Sequence, residues 1–156
     1  MNSLSRYLFG AALSVALSAS AYSATIIDTA KSAGTLSSFL ETLKEVGLEQ
    51  QLNETGPYTV FAPSDEAFAK MPARVREGLK YDKDWARKVM AMHIVQGKVL
   101  IENGQNKDHI KTLAGPELSV KKEKREWSVE GVPILEPDVE VDNGVIHVID
   151  AVLLPQ

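Results

Sequence analysis

Ser64 and three histidines, His93, His109 and His147, are the side chains of this chain best suited to proton transfer or nucleophilic attack. A seryl hydroxyl activated by a histidine, with a carboxylate orienting the ring, performs acyl transfer; such a set is recognised by mutual geometry rather than by residue type. Local spacing gives Ser64 a simpler role. It follows Pro63 and precedes Asp65 and Glu66, the pattern of an N-cap whose oxygen accepts a backbone N–H while acids fill the first turn, where the helix dipole favours negative charge. Ser64 and Asp65 are therefore read as structural. His147 lies inside the apolar run 145–154 and, with period-two alternation, shares a face with Val145 and Ile149. Asp150 falls on the other face, so a direct His147–Asp150 dyad is disfavoured, and a buried, hydrogen-bonded structural histidine is expected. His93 follows Met92 near a helix end, where the dipole favours the charged ring and a terminal carbonyl can accept from it. His109, in Lys-Asp-His-Ile-Lys, is expected on a solvated loop.

No pair of histidines has His-x-His or His-x-x-x-His spacing and there is no cysteine, so neither a metal nor another cofactor is expected. Glu136, Asp138, Glu140 and Asp142 alternate, which reads as one solvated face of a strand; the loop lacks the ligand-and-glycine pattern of a calcium site. The run Lys121 to Glu126 holds four cations and two acids and reads as a soluble hairpin tip that resists edge pairing. Trp127 suits either a core or an interface.

These residues need elements to hold them. A helix with weak periodicity is expected over 26–33, stopped by Gly34, and Thr35 is positioned to cap a second helix carrying Leu36, Phe39, Leu40, Leu43 and Val46, stopped by Gly47. A further turn over 48–52 precedes the turn formers 53–57. Tyr58 to Ala62 reads as a buried strand closed by Pro63, and after Ser64 a short helix puts Phe68 and Met71 inward before Pro72. Another helix is expected from Asp84 to His93, with Trp85, Val89 and Met92 inward and Gly97 at its end. Beyond that, Leu118 and Val120, Trp127 and Val129, and Val139 and Val141 alternate as strands, and Asn143-Gly144 marks a tight reversal into the last one. Helices first and antiparallel strands last define an α+β domain.

Two segments, Thr59 to Phe68 (TVFAPSDEAF) and Asn143 to Pro155 (NGVIHVIDAVLLP), resemble in order and separation the two signature segments of the fasciclin domain. The resemblance covers 24–155. It implies a wedge of two steeply crossed β-sheets with helices along one side, structural roles for Asn143, Gly144, His147 and Asp150, and non-catalytic adhesion or extracellular matrix interaction through binding to proteins or glycans. In that family a Tyr-His pair often lies between the signatures, in a region associated with integrin binding. Here Met92-His93 stands in its place, followed by Ile94 and Val95. Met92, His93, Ile94 and Val95 are thus the candidate contact segment, with the missing tyrosine weighing against an integrin-type contact.

Composition bounds the rest. With 17 Lys and Arg against 21 Asp and Glu the chain carries a net charge of −4, which supplies no basic footprint for nucleic acid. Arg6, the apolar stretch 7–17 and the small residues 18–24 read as a secretory signal peptide too short to span a bilayer. Cleavage after Ala21 or Ser23 satisfies the small-residue rule; the latter makes 1–23 the leader and 24–156 one domain. The expected protein is a monomer without a transmembrane segment, periplasmic or secreted, recognising an envelope or extracellular protein or glycan. The rivals are a periplasmic carrier or sensor of a small apolar or carbohydrate ligand, and a hydrolase built on Ser64.

Overall fold

Two apolar runs, β1 (Tyr58–Pro63) and β7 (Gly144–Ile149), lie side by side as parallel strands at the centre of a computed structural model that describes residues 24–54, 56–102 and 107–154. The expected leader, 1–23, lies outside the described residues. Every residue of both strands is buried, because each face of the pair has its own cover. Side chains of Tyr58, Val60, Ala62, Ile146 and Val148 join a core shared with the helices, whereas Phe61 and Ile149 join a second core with the remaining strands. A strand covered on both faces loses the polar alternation of a half-exposed one, which is why these runs are apolar throughout.

The helices are α1 (Ile26–Ala33), α2 (Ser37–Glu45), α3 (Leu48–Glu54), α4 (Asp65–Ala69), α5 (Ala73–Tyr81) and α6 (Lys83–Ala91). The other strands are β2 (Ile94–Gln96), β3 (Lys107–Lys111), β4 (Glu117–Glu123), β5 (Glu126–Val129) and β6 (Val132–Val141). Hydrogen bonding orders them β2-β1-β7-β6-β5-β4-β3. The long β6 pairs with β5 through Val132 and Pro133 and with β7 from Ile134 to Val141, so one strand serves both sheets. The outer edge of β2 also meets the chain just past β3: Val95 bridges Thr112, and Leu113 N–H donates to the Ile94 carbonyl at 2.9 Å.

Local chemistry accounts for most boundaries. Thr25 and Asp28 form a reciprocal capping box on α1, and Gly34, at φ 73°, takes the left-handed position that ends it. Thr35 is not the cap of α2; Leu36 holds that position and offers no side-chain oxygen. The acceptor comes from far along the chain, where Asp65 Oδ1 takes the Ser38 N–H at 2.7 Å while the Asp65 N–H donates to the Thr35 carbonyl at 2.8 Å. Helix α6 starts at its Asp82 cap and ends at Ala91, short of His93, and Gly97 follows β2 rather than stopping the helix. Segment 73–81, which has few apolar residues, is helical as well. His109 belongs to strand β3 at a bulge, with φ 61°, instead of a loop. The turn after β4 uses Lys124 and Arg125, both at positive φ, and Trp127 is buried in the second core.

Candidate functional site

Asn143 and Gly144 set the start of β7. The Asn143 amide oxygen accepts the Ile26 N–H at 2.9 Å and its Nδ2 donates to the Leu52 carbonyl at 2.7 Å, while its own carbonyl accepts from Tyr58 N–H at 3.0 Å. One residue thus ties three elements to the β6–β7 turn, α1 and α3 through its side chain and β1 through its main chain. Gly144 is required by space, since a Cβ there would overlap the Tyr58 carbonyl oxygen. Ser64 caps α4, its hydroxyl accepting the Ala67 N–H at 3.2 Å. Asp150 pairs with Lys70 at 2.8 Å on the surface and not with His147.

His147 is fully buried and stacked on Phe61, its register partner on β1, with ring centroids 5.1 Å apart. Its Nδ1 accepts the Asp138 N–H at 2.9 Å, and its Nε2, which therefore carries the proton, donates to the Val99 carbonyl at 2.7 Å. Burial pulls its pKa down, against the opposing pull of the Val99 bond and the Asp138 carboxylate, so the ring is neutral at pH 7. Asp138 continues the network by accepting the backbone N–H groups of Ile101 and Glu102, each at 2.8 Å. The segment 99–102 is therefore pinned from two sides of β6 and β7. Asp138 was not legible as an anchor, because alternation places it with Glu136, Glu140 and Asp142 on a solvated face. Two register shifts in β6, on either side of Glu136, break that alternation. The signal was Pro137, since a proline inside a strand marks an edge or a bulge.

His93 makes an analogous post on the helical side. Its Nδ1 donates to Val89 O at 2.8 Å and its Nε2 accepts the Leu153 N–H at 2.8 Å, beside the edge of Phe39. The expected bond to a helix carbonyl is present, but the expected positive charge is not. Desolvation outweighs the Val89 bond and lowers the pKa to about 4. Met92, Ile94 and Val95 are buried with it, so the four residues of the candidate contact segment pack in the core and offer no free surface. His109 differs in kind: it is exposed, bonds Glu117 at 3.0 Å, and has its pKa raised by that contact.

With both nitrogens of each buried imidazole held by the backbone, neither is a base for Ser64, and the hydrolase reading has no proton acceptor there. Among the described residues no three His, Asp or Glu side chains converge on one point as a metal set, and no helix is long and apolar enough to cross a membrane. The cavities are open clefts. One of about 440 Å³ lies among α2, α4 and α5, and a mainly apolar one of about 280 Å³ lies between α1 and the sheet at Val139, Ile146 and Val148.

Helices packed on one face of the β1–β7 pair, buried neutral histidines bonded to the backbone, and an Asn-Gly corner with no room for a Cβ describe an interior whose polar groups hold the scaffold together. The chain belongs to the fasciclin domain family, whose model matches residues 34–155. It is similar to protein sll1483 of Synechocystis sp., 37% identical over 133 residues, covering 84% of this chain and 73% of that one. It is also similar to the transforming growth factor-beta-induced protein ig-h3 of Sus scrofa, 32% identical over 132 residues, where it spans 84% of this chain but 19% of that longer one. The fold matches a fasciclin domain pair from the insect cell adhesion molecule Fasciclin I with a TM-score of 0.61 at 22% identity, covering 78% of this chain and 46% of that one.

Proposed function

We propose that this chain is an exported, monomeric fasciclin domain that contributes to adhesion or envelope and matrix interactions by recognising a protein or glycan with its preformed surface, without catalysis. The observation that carries this reading is the pairing of family membership with a polar interior wholly engaged in holding the scaffold: His93, His147, Asp138 and Asn143 all bond backbone groups. Residues Met92, His93, Ile94 and Val95 then serve recognition by positioning their exposed neighbours Gln96 and Lys98. The removal of the leader 1–23 and a periplasmic or extracellular location belong to the same reading.

The test is attachment. Envelope fragments and intact cells of the producing organism are offered to the immobilised protein and to an unrelated acidic protein of similar size. Selective retention on the first is expected, and equal retention on both would end the reading. The apolar cleft beneath α1 favours one alternative, a carrier of a small apolar ligand. At about 280 Å³ it sits just below the range of about 300–1,000 Å³ typical of small-molecule sites. A saturable thermal shift with an apolar ligand, abolished by Ala33→Trp, would favour the carrier.

A further inference from the structure

Segment 70–88 concentrates positive charge on an otherwise acidic protein: seven of the 17 cations lie there, against three of the 21 acids. Lys70 is held by Asp150, and Arg87 donates to the Val46 carbonyl at 2.7 Å. Among the described residues, Arg74, Arg76, Lys83 and Lys88 are exposed with no carboxylate within ion-pair distance. Ala73, Arg76, Glu77, Lys80 and Tyr81 share one face of α5 at helical spacing and line a shallow depression of about 310 Å³. Tyr81 is 76% exposed, and the Lys80 ammonium lies 5.6 Å from its ring centre. Arg76 and Lys80 also line the larger cleft, facing a set that includes Glu41 and Glu45 from α2 and the apolar side chains of Phe68 and Leu79. The Arg76–Lys80 row is thus a ridge between two adjoining grooves.

We propose that this double groove binds an acidic polysaccharide, with the carboxylate of a uronate sugar on the Arg76–Lys80 row. The inference rests on the recognition reading above and names its partner chemistry. A guanidinium fork and an ammonium side by side match a sugar carboxylate. The exposed ring of Tyr81, with the Lys80 ammonium beside it, offers an apolar platform for a pyranose ring and keeps its polar tip in water. Glu41, Glu45 and Glu77 accept hydrogen bonds from sugar hydroxyls. The same carboxylates disfavour a denser polyanion, because duplex DNA, with one charge per about 1.7 Å of axis, would set phosphates against them. A membrane surface fits less well. An interfacial helix needs an outward apolar face, and the apolar Leu79 of α5 points into the core.

The experiment measures binding of the purified full protein to immobilised polygalacturonate, with neutral dextran, duplex DNA and phosphatidylglycerol vesicles alongside. Polygalacturonate is expected to bind best. The Arg76→Ala/Lys80→Ala variant is expected to lose about tenfold in affinity or more, the factor that corresponds to one charge-assisted contact. Tyr81→Ala is expected to weaken binding, Tyr81→Phe to restore it, and all variants to unfold at the wild-type temperature because the replaced side chains are exposed. Unchanged affinity in the double variant, equal binding to dextran, or stronger binding to DNA or vesicles would overturn the proposal. If the double variant still attaches to cells as the wild type does, this groove is wrong while the recognition reading stands; absence of wild-type attachment removes the reading itself.

Discussion

His93 and His147 show how one residue type is set to one protonation state by its surroundings. For His93 the folded pKa is about 4 against 6.5 for the free side chain. Between those values the unfolded chain binds a proton that the folded chain refuses, so stability rises with pH there; it is complete above 6.5 and lost progressively as pH falls toward 4. The span corresponds to about 3 kcal/mol. Urea unfolding at pH 7 and pH 4.5 is expected to show most of that loss in the wild type and a flatter profile in His93→Gln. Asp138 carries a different kind of weight. In Asp138→Ala the Ile101 and Glu102 N–H groups lose their acceptor, and a destabilisation of about 2 kcal/mol is expected, with amide exchange at Ile101 and Glu102 accelerated before that of β7. Asp138→Asn, which keeps one carbonyl oxygen, recovers part of the loss. The burial of His147 was legible from its place in an apolar run. Its partner was not, because β6 departs from regular alternation where Glu136-Pro137-Asp138 lies.

At the scale of elements, local signals were read correctly where the chemistry is local. The Ser64 cap, the Gly34 stop and the strand at 58–62 each depend on residues within a few positions. The cap of α2 does not. Asp65 looks like a first-turn acid of α4, and it also closes the N-terminus of a helix 27 residues earlier, a contact that exists only once the chain has folded back. Asp65→Ala is accordingly expected to cost about 1 kcal/mol, the usual loss of a helix cap; Asp65→Asn, which retains an acceptor oxygen, should cost less, and thermal unfolding of the three proteins checks the order. Helix α5 escaped recognition for a related reason. It buries only Leu79 fully and packs Gly78 against Trp85, whose ring would lie 3.0 Å from an added Cβ. A helix so lightly anchored has no clear apolar stripe, and its outward side is free to carry the charges of the proposed groove.

Across the whole molecule, two cores share one central pair of strands. Because β1 and β7 contribute a face to each, neither core is expected to melt alone. The two tryptophans allow a direct check: Trp85 packs against the helical core and Trp127 lies in the other. Trp85→Phe and Trp127→Phe each leave one reporter. In each variant, fluorescence and circular dichroism should give coincident denaturation curves, whereas separate midpoints would show that the cores come apart independently. The bridge from Val95 to Thr112 bears on self-association. By laying the chain just past β3 along the outer edge of β2, it covers main chain onto which a neighbouring copy could otherwise zip, so at that edge two copies at high concentration are expected to meet through side chains.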